Sequence, residues 1–339
     1  MTIKDIARLC NVGISTVSRA INDDPGINPE TKARILKVIE EQNYIPNNSA
    51  RHLKMVESNT IALLIKGTDN LFFQGMLRIF EQVLQEVEYS YLIYPVTQDQ
   101  DETIVAMELV KERKLKGIIF LGGLMEVGEN IDRIGVPCVR CTVSNPDMMT
   151  DRQDYSVSID DKKEAYRAVD YLCRRGHTKI AILAGRKQDC SIGYMRLEGY
   201  KQALEDNRVV CDSKRIVYMK EDIPEFTAEN GYAMTKELLE SGVEVTALFA
   251  ISDMMAFGAY KAIKEKGYRI PEDISVIGFD GLDLTQFYHP SLTTMQQPCE
   301  QLVKASIEVL LRAIHEDSRG EQRIFQAELV ERDSVKTIV

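Results

Sequence analysis

Two groups of residues have types and spacings that could do chemistry. The first runs through Ile14, Ser15, Thr16, Ser18, Arg19 and Asn22. Small hydroxyls beside the backbone N–H groups of a helix N-terminus suit phosphate oxygens. That assigns Thr16 and Ser18 to phosphates, with Asn22 able to join them. Ile14, Ser15 and Arg19 project from the first turns and can reach base edges. Arg19 can pair with guanine in a bidentate contact, and Ile14 can meet a thymine methyl. The second group is dispersed. Asp280 follows the run VIGF, Ser252 and Asp253 follow ALFAI, and Phe72 and Phe73 open a helical stretch. Arg196 lies at the start of another helical stretch, and Phe226 precedes a third. A carboxylate accepts from two hydroxyls, and a guanidinium donates to two oxygens. An aromatic face covers the C–H side of a sugar ring. Taken singly, each has a plainer reading: Asp280 as a loop cap, Arg196 in a surface ion pair, Phe72 or Phe226 in a core.

The elements that must position the first group are short helices. Thr2 with Asp5 three residues later is a capping-box-like start. Ile3, Ile6, Ala7 and Leu9 then recur at helical spacing, giving one apolar stripe. Asn11-Val12-Gly13 breaks this helix, and a second runs from about Ile14 to Ile21 with Val17 and Ala20 facing inward. Two helices joined by a tight turn can put the second into a major groove. A surface helical hairpin with a polar face shows the same pattern. Asn28-Pro29 opens a third helix, because Asn caps it and Pro fits its first position. Ile35, Leu36, Val38 and Ile39 supply its apolar side.

From Thr60 the pattern changes. Apolar runs at 61–65, 91–96, 117–122, 138–143, 179–185, 215–219, 247–251 and 275–279 alternate with helical stretches near 73–88, 101–114, 162–175, 195–206, 228–241 and 254–267. Continuous apolar strands alternating with helices imply parallel sheets covered on both faces. The set divides into two similar halves near Asp160, which is the two-lobed architecture of periplasmic sugar-binding proteins. In open α/β sheets, ligands bind at the carboxyl ends of the strands, where the second group of residues falls.

The chain has 339 residues, too many for one ordinary core. Its net charge of −10 argues against a nucleic-acid partner until the distribution is considered. Residues 1–60 hold eight Lys/Arg against seven Asp/Glu, while the rest holds 34 against 45. The acidity lies outside the helical N-terminal segment. No run of about 18 apolar residues is present, so no membrane span is expected. Lys4, Asp5 and Arg8 leave no apolar signal-peptide core, and seven scattered cysteines, including Cys138-x-x-Cys141 in an apolar strand, read as reduced thiols. A cytoplasmic location is expected. The sequence lacks G-x-G-x-x-G after a strand, a Walker lysine and G-x-S-x-G. Its four histidines show no ligand or triad spacing. No catalytic residue, metal or cofactor is expected. A solute receptor or an enzyme on the same lobes is the alternative class.

The stretch TIKDIARLCNVGISTVSRAIND, followed by the proline-started helix and YIPNNSARHL, resembles the DNA-binding headpiece of the LacI/GalR family of bacterial transcription regulators. The similarity extends through the remaining chain to LVERDSV. It implies an all-α helix-turn-helix headpiece (1–46), a hinge helix or linker (47–58), and a two-lobed periplasmic-binding-protein-like α/β core of doubly wound parallel sheets (59–339). Lobe 1 would comprise about 59–160 and 290–321, and lobe 2 about 161–289 and 322–339. Within the hinge, Leu53 holds the family's minor-groove wedge position, with Ala50 and Arg51 beside it. Arg196 and Asp280 fall on the family's main effector positions, with Phe72, Phe73 and Phe226 at its aromatic ones. Thr142 stands where aspartate is frequent, Ser252 where asparagine is, and Cys190 where purine-responsive members have arginine. Asn11 replaces the usual turn glycine and Gly13 the usual capping serine. The resemblance implies a homodimer on pseudo-palindromic double-stranded operator DNA, most simply a repressor of carbohydrate-use genes released by a sugar or sugar derivative. An activator or a corepressor-dependent regulator of the same family is the near alternative.

Overall fold

The computed structural model describes residues 2–21, 26–42, 59–67, 70–97, 100–123, 131–143, 155–187, 191–316 and 320–338. The chain divides into two compact units, Met1–Ser58 and Asn59–Val339.

The first unit contains α1 (Ile3–Leu9), α2 (Ile14–Ile21) and α3 (Pro29–Glu41). Asp5 accepts from both the backbone N and the hydroxyl of Thr2, at 2.9 and 2.8 Å, which fixes the start of α1. Asn11 adopts φ 45°, the left-handed turn conformation that Asn tolerates better than most residues. Asn28 caps α3 by accepting from Glu30 N and Thr31 N, and Pro29 takes the first helical position. The core is Ile6, Ala7, Cys10, Val17, Ala20 and Ile35. Two residues depart from the expected stripes. Leu9 is exposed, and Cys10 takes the inward place. Leu36 is exposed too, so Ile35 carries the α3 face with Val38 and Ile39 packed beside it.

The second unit holds two six-stranded sheets. One has the order β11-β5-β4-β3-β1-β2, with β1 (Thr60–Lys66), β2 (Ser90–Val96), β3 (Leu115–Leu121), β4 (Cys138–Cys141), β5 (Tyr155–Ile159) and β11 (Gln322–Phe325). All its pairings are parallel. The other has the order β12-β10-β9-β8-β6-β7, with β6 (Ile180–Ala184), β7 (Ile216–Tyr218), β8 (Ala247–Ala250), β9 (Ser275–Asp280), β10 (Thr293–Gln296) and β12 (Glu328–Val330). Its one antiparallel pairing joins β10 to β12.

The inner strands are buried on both faces, whereas the edge strand β2 is largely exposed. In β1, Ile61, Leu63 and Ile65 enter a core with α4 (Leu71–Glu86) and α10 (Cys299–His315). The alternate residues Ala62 and Leu64 enter a second core with α5 (Glu102–Glu112). This is the period-two alternation of a strand covered by helices on either side. The second lobe is covered by α6 (Asp161–Arg174), α7 (Ile192–Asp206), α8 (Ala228–Glu240) and α9 (Asp253–Glu265), sharing one large core. Its helix pairs pack backbone to backbone. A Cβ on Gly199 would lie 2.1 Å from the Lys162 carbonyl oxygen, and one on Gly258 would lie 1.9 Å from that of Ala228.

The lobe boundaries differ from expectation after the first crossover. β10 pairs with β9, so 293–296 belongs to the second lobe and not the first. β11 pairs with β5, so 322–325 belongs to the first lobe and not the second. The chain therefore crosses at 297–298 and again at 326–327. The His289-Pro290 step read as a boundary, but it lies in a loop before β10. That strand, Thr-Thr-Met-Gln, has no apolar run to reveal it.

Candidate functional site

In both sheets the strand order reverses direction, between β1 and β3 in one and between β6 and β8 in the other. Loops diverge at such points and leave a crevice. A cavity of about 570 Å3 lies at these carboxyl ends. Lys66, Gly67, Gly122, Gly123 and Thr142 line it from the ends of β1, β3 and β4, Arg186 follows β6, and Asp280 is the last residue of β9. The starts of α4, α7 and α8 contribute Asn70, Ser191 and Thr227. Each caps its own helix, accepting from Phe72 N at 3.0 Å, Gly193 N at 3.1 Å and Asn230 N at 3.2 Å.

Arg196 sits in the second turn of α7 and is 4% exposed. Its Nε donates to Asp161 Oδ1 at 2.9 Å, and Nη2 reaches the same oxygen at 2.8 Å. Nη1 donates to the Ile251 carbonyl and lies 3.8 Å from Asp280 Oδ1. The guanidinium stacks 3.7 Å above the Phe279 ring. Arg196 is thus held rigidly, with most of its donors used inside the protein.

Two buried carboxylates, Asp161 and Asp280, flank this cation, and a third, Asp253, lies behind Asp280. Asp161 and Asp253 each occupy the first position of a helix, where the dipole favours negative charge. Burial nevertheless raises Asp161 to about 6, against the opposing pull of Arg196. Asp253 Oδ2 accepts from Gly281 N and Leu282 N at 2.8 Å each, and Oδ1 accepts from the Thr294 hydroxyl at 2.6 Å. Burial and the neighbouring Asp280 raise its pKa. Asp280 accepts from Gln297 Nε2 at 2.9 Å, so a crossover residue holds it in place. Its pKa is also raised by burial, with Arg196 pulling the other way.

Thr142 is strained. A β-branched residue at φ 74° is an outlier, and here its N–H donates to the Val157 carbonyl at 2.8 Å. Its hydroxyl is buried and has no hydrogen-bond partner among the described residues. Phe226 (φ 55°) and Asp280 (φ 119°) also line the cavity with left-handed backbones. Such outliers cluster where surrounding structure dictates the conformation.

The cavity brings together Phe72, Phe73, Thr142, Arg196, Phe226 and Asp280. Ser252 is not among its lining. Its hydroxyl is buried as the cap of α9, accepting from Met255 N at 3.3 Å, and donates to the Phe226 carbonyl at 3.5 Å. Its role is to position Phe226. Cys190 lies outside the described residues. Sequence reading did not find Lys66, Arg186, Glu225, Gln297 or Asp161. Asp161 follows the short strand Tyr-Ser-Val-Ser-Ile, whose polar residues hid it, although a carboxylate beginning a helix was a usable signal. His177, one of the four histidines, is fully buried between Thr246 and the Lys336 carbonyl, and burial lowers its pKa.

In the first unit, Ile14, Ser15 and Arg19 are exposed on α2, and Thr16 and Ser18 are half-buried beside them. Val17 and Ala20 anchor the opposite side of the helix. Asn22, Ala50, Arg51 and Leu53 lie outside the described residues.

A helix-turn-helix unit followed by a two-lobed core defines a class, the DNA-binding transcription regulators built on a periplasmic-binding-protein-like scaffold. Residues 2–47 match the bacterial regulatory proteins of the lacI family, and residues 169–335 match a periplasmic binding protein-like domain. The chain is 39% identical to the HTH-type transcriptional regulator MalR of Clostridium butyricum over 340 residues, 98% of this chain and 99% of that protein. It is 33% identical to the HTH-type transcriptional repressor PurR of Vibrio atlanticus, with 99% of each covered. A solved complex of the transcriptional regulator CelR with cellobiose has a TM-score of 0.72 and 26% identity, over 98% of this chain and 99% of that one. The chain belongs to the lacI family of bacterial regulatory proteins.

Proposed function

We propose that this regulator is a cytoplasmic homodimeric repressor that binds a pseudo-palindromic operator and is released by a sugar-like effector held in the core cavity. The observation that carries this reading is the cavity itself. Its walls come from both lobes, so an occupant senses their relative arrangement, and it combines aromatic faces with a carboxylate and an orphaned hydroxyl. A ligand shifts a conformational equilibrium only by its differential affinity for the two states. A ligand touching Phe72 and Thr142 on one side and Arg196, Phe226 and Asp280 on the other meets that requirement. The repressor name of the Vibrio relative and the cellobiose bound by CelR support the direction of regulation and the ligand class. Paired headpieces would read two half-sites, with Ile14, Ser15 and Arg19 at bases and Thr16 and Ser18 at phosphates. Asn22, Ala50, Arg51 and Leu53 join this DNA-contact set, and Cys190 the effector set, on sequence alone.

Binding-site selection with the full chain tests the proposal, followed by operator titration with and without a panel of sugars. Enrichment of a two-fold symmetric sequence, released when one sugar saturates, is the expected result. If no sequence is enriched, the DNA-reading proposal fails. Operator binding that requires the small molecule would make the protein a corepressor-dependent regulator.

A further inference from the structure

We infer that the effector is an uncharged glycoside of two sugar rings and that the cavity discriminates against phosphorylated and carboxylated sugars. The inference rests on the sugar-effector reading above and adds the charge and size of the ligand.

Charge comes first. An anion is usually held by an uncommitted cation or by an open helix N-terminus. Among the described lining residues, each basic side chain already has a carboxylate. Lys66 Nζ lies 3.0 Å from Glu102, with both side chains nearly buried. Arg186 Nε lies 2.7 Å from Glu225, and Arg196 engages Asp161 with Asp280 close by. The helix N-termini bordering the cavity each have one otherwise free N–H already taken, because Asn70, Ser191 and Thr227 cap α4, α7 and α8 with their own side chains. A phosphate carrying close to two negative charges would be desolvated beside an excess of carboxylate, which is strongly unfavourable.

Hydroxyls fit where anions do not. Thr142 Oγ1 is buried at the cavity wall without a partner among the described residues, so a ligand hydroxyl can satisfy it. Asp280 offers acceptor capacity from the facing lobe. Because polar groups converge from both lobes, hydroxyls are wanted at both ends of the ligand. Phe72 lines the cavity from the first lobe and Phe226 from the second. The volume of about 570 Å3 lies within the range of small-molecule sites. A single pyranose leaves room in that space for a second linked ring.

The test is thermal shift and calorimetry on the full chain with cellobiose, maltose, glucose, ribose, glucose 6-phosphate, cellobiose 6′-phosphate and adenosine. A ligand that binds only the native state raises Tm. Cellobiose or maltose is expected to give the largest shift. Glucose should bind at least tenfold more weakly, and phosphorylation should weaken binding at least tenfold. Thr142→Val should weaken the disaccharide about tenfold without lowering Tm of the free protein, because the hydroxyl it removes has no partner there among the described residues. Glu225→Gln, which releases Arg186, should narrow the preference for neutral over phosphorylated ligand severalfold. A phosphorylated sugar or a monosaccharide binding as well as the neutral disaccharide overturns this inference and leaves the sugar-effector reading standing. Adenosine alone binding, or no sugar binding, overturns both. Thr142→Val with unaltered affinity, or Glu225→Gln with unaltered discrimination, overturns the contact and charge arguments respectively.

Discussion

Arg196 compensates more than one buried carboxylate, and that makes its removal different from the loss of one ligand contact. Arg196→Ala would leave Asp161 and Asp280 buried without their cation. Breaking a buried pair costs about 3–5 kcal/mol. Arg196→Lys keeps the charge but loses the planar stack on Phe279 and part of the donor set. Urea midpoints of the core transition should fall in the order wild type, Lys variant, Ala variant. An Ala variant as stable as wild type would mean that the carboxylates are neutral in the folded protein. The same cluster sets a pH dependence. Asp161, Asp253 and Asp280 have folded pKa values above those of the unfolded chain. Their contribution to stability is complete below about pH 4 and is lost as pH rises through the folded values, about 6 for Asp161. His177 acts oppositely: its depressed pKa removes stability as pH falls through 6.5. Between pH 8 and 6.5 the carboxylates therefore dominate, and the core should melt higher at 6.5. Asp253→Asn should make that rise shallower, which melting curves across the range will show.

At the scale of elements, α2 and the paired helices of the second lobe lead to different expectations. Val17 and Ala20 fix α2 against the small headpiece core, so its opposite side is presented in a defined orientation. Arg19→Ala should remove roughly 1–3 kcal/mol of discrimination at one base pair, while Thr16→Ala should weaken all sequences alike. Binding-site selection that returned the wild-type motif for Arg19→Ala would refute the base contact. The α8–α9 pair depends on absent side chains. A methyl on Gly258 would meet the backbone of α8, not a movable side-chain end. Gly258→Ala should therefore destabilise the core by about 1–3 kcal/mol, although alanine favours helices. A denaturation midpoint at or above wild type would show that α8 and α9 can separate without loss.

Across the core, each sheet contributes one bank of the cavity, and the crossovers at 160, 297–298 and 326–327 connect the banks. Gln297 lies at the second crossover and donates to Asp280 twice, from its side chain to the carboxylate and from its backbone N–H to the carbonyl, so the connection between lobes is tied to a candidate ligand-binding carboxylate. Gln297→Leu should leave operator binding by the free protein intact and shift the effector concentration needed for release. Operator titration at a series of effector concentrations measures this. An unchanged release midpoint would separate the crossover from the response.

The sequence by itself determined the local features. The helix-turn-helix was legible because caps, a left-handed Asn and inward apolar residues act within a few positions of one another. The alternation of apolar runs with amphipathic helices determined the sheet architecture, and strand-end positions identified Arg196, Asp280, Phe72 and Phe226. Similarity to a known family supplied their grouping. Short polar strands stayed hidden, since Tyr155–Ile159 and Thr293–Gln296 owe their place to neighbouring strands more than to their own apolarity. Only the tertiary structure decided that Ser252 caps a helix, that Asp161 and Gln297 belong with the site, and that every described base in the cavity is already paired. Those outcomes depend on contacts between residues distant in the chain, many of them across separate strands and lobes. Burial, which sets the charge of the carboxylates, is a property of the surroundings that no single residue encodes.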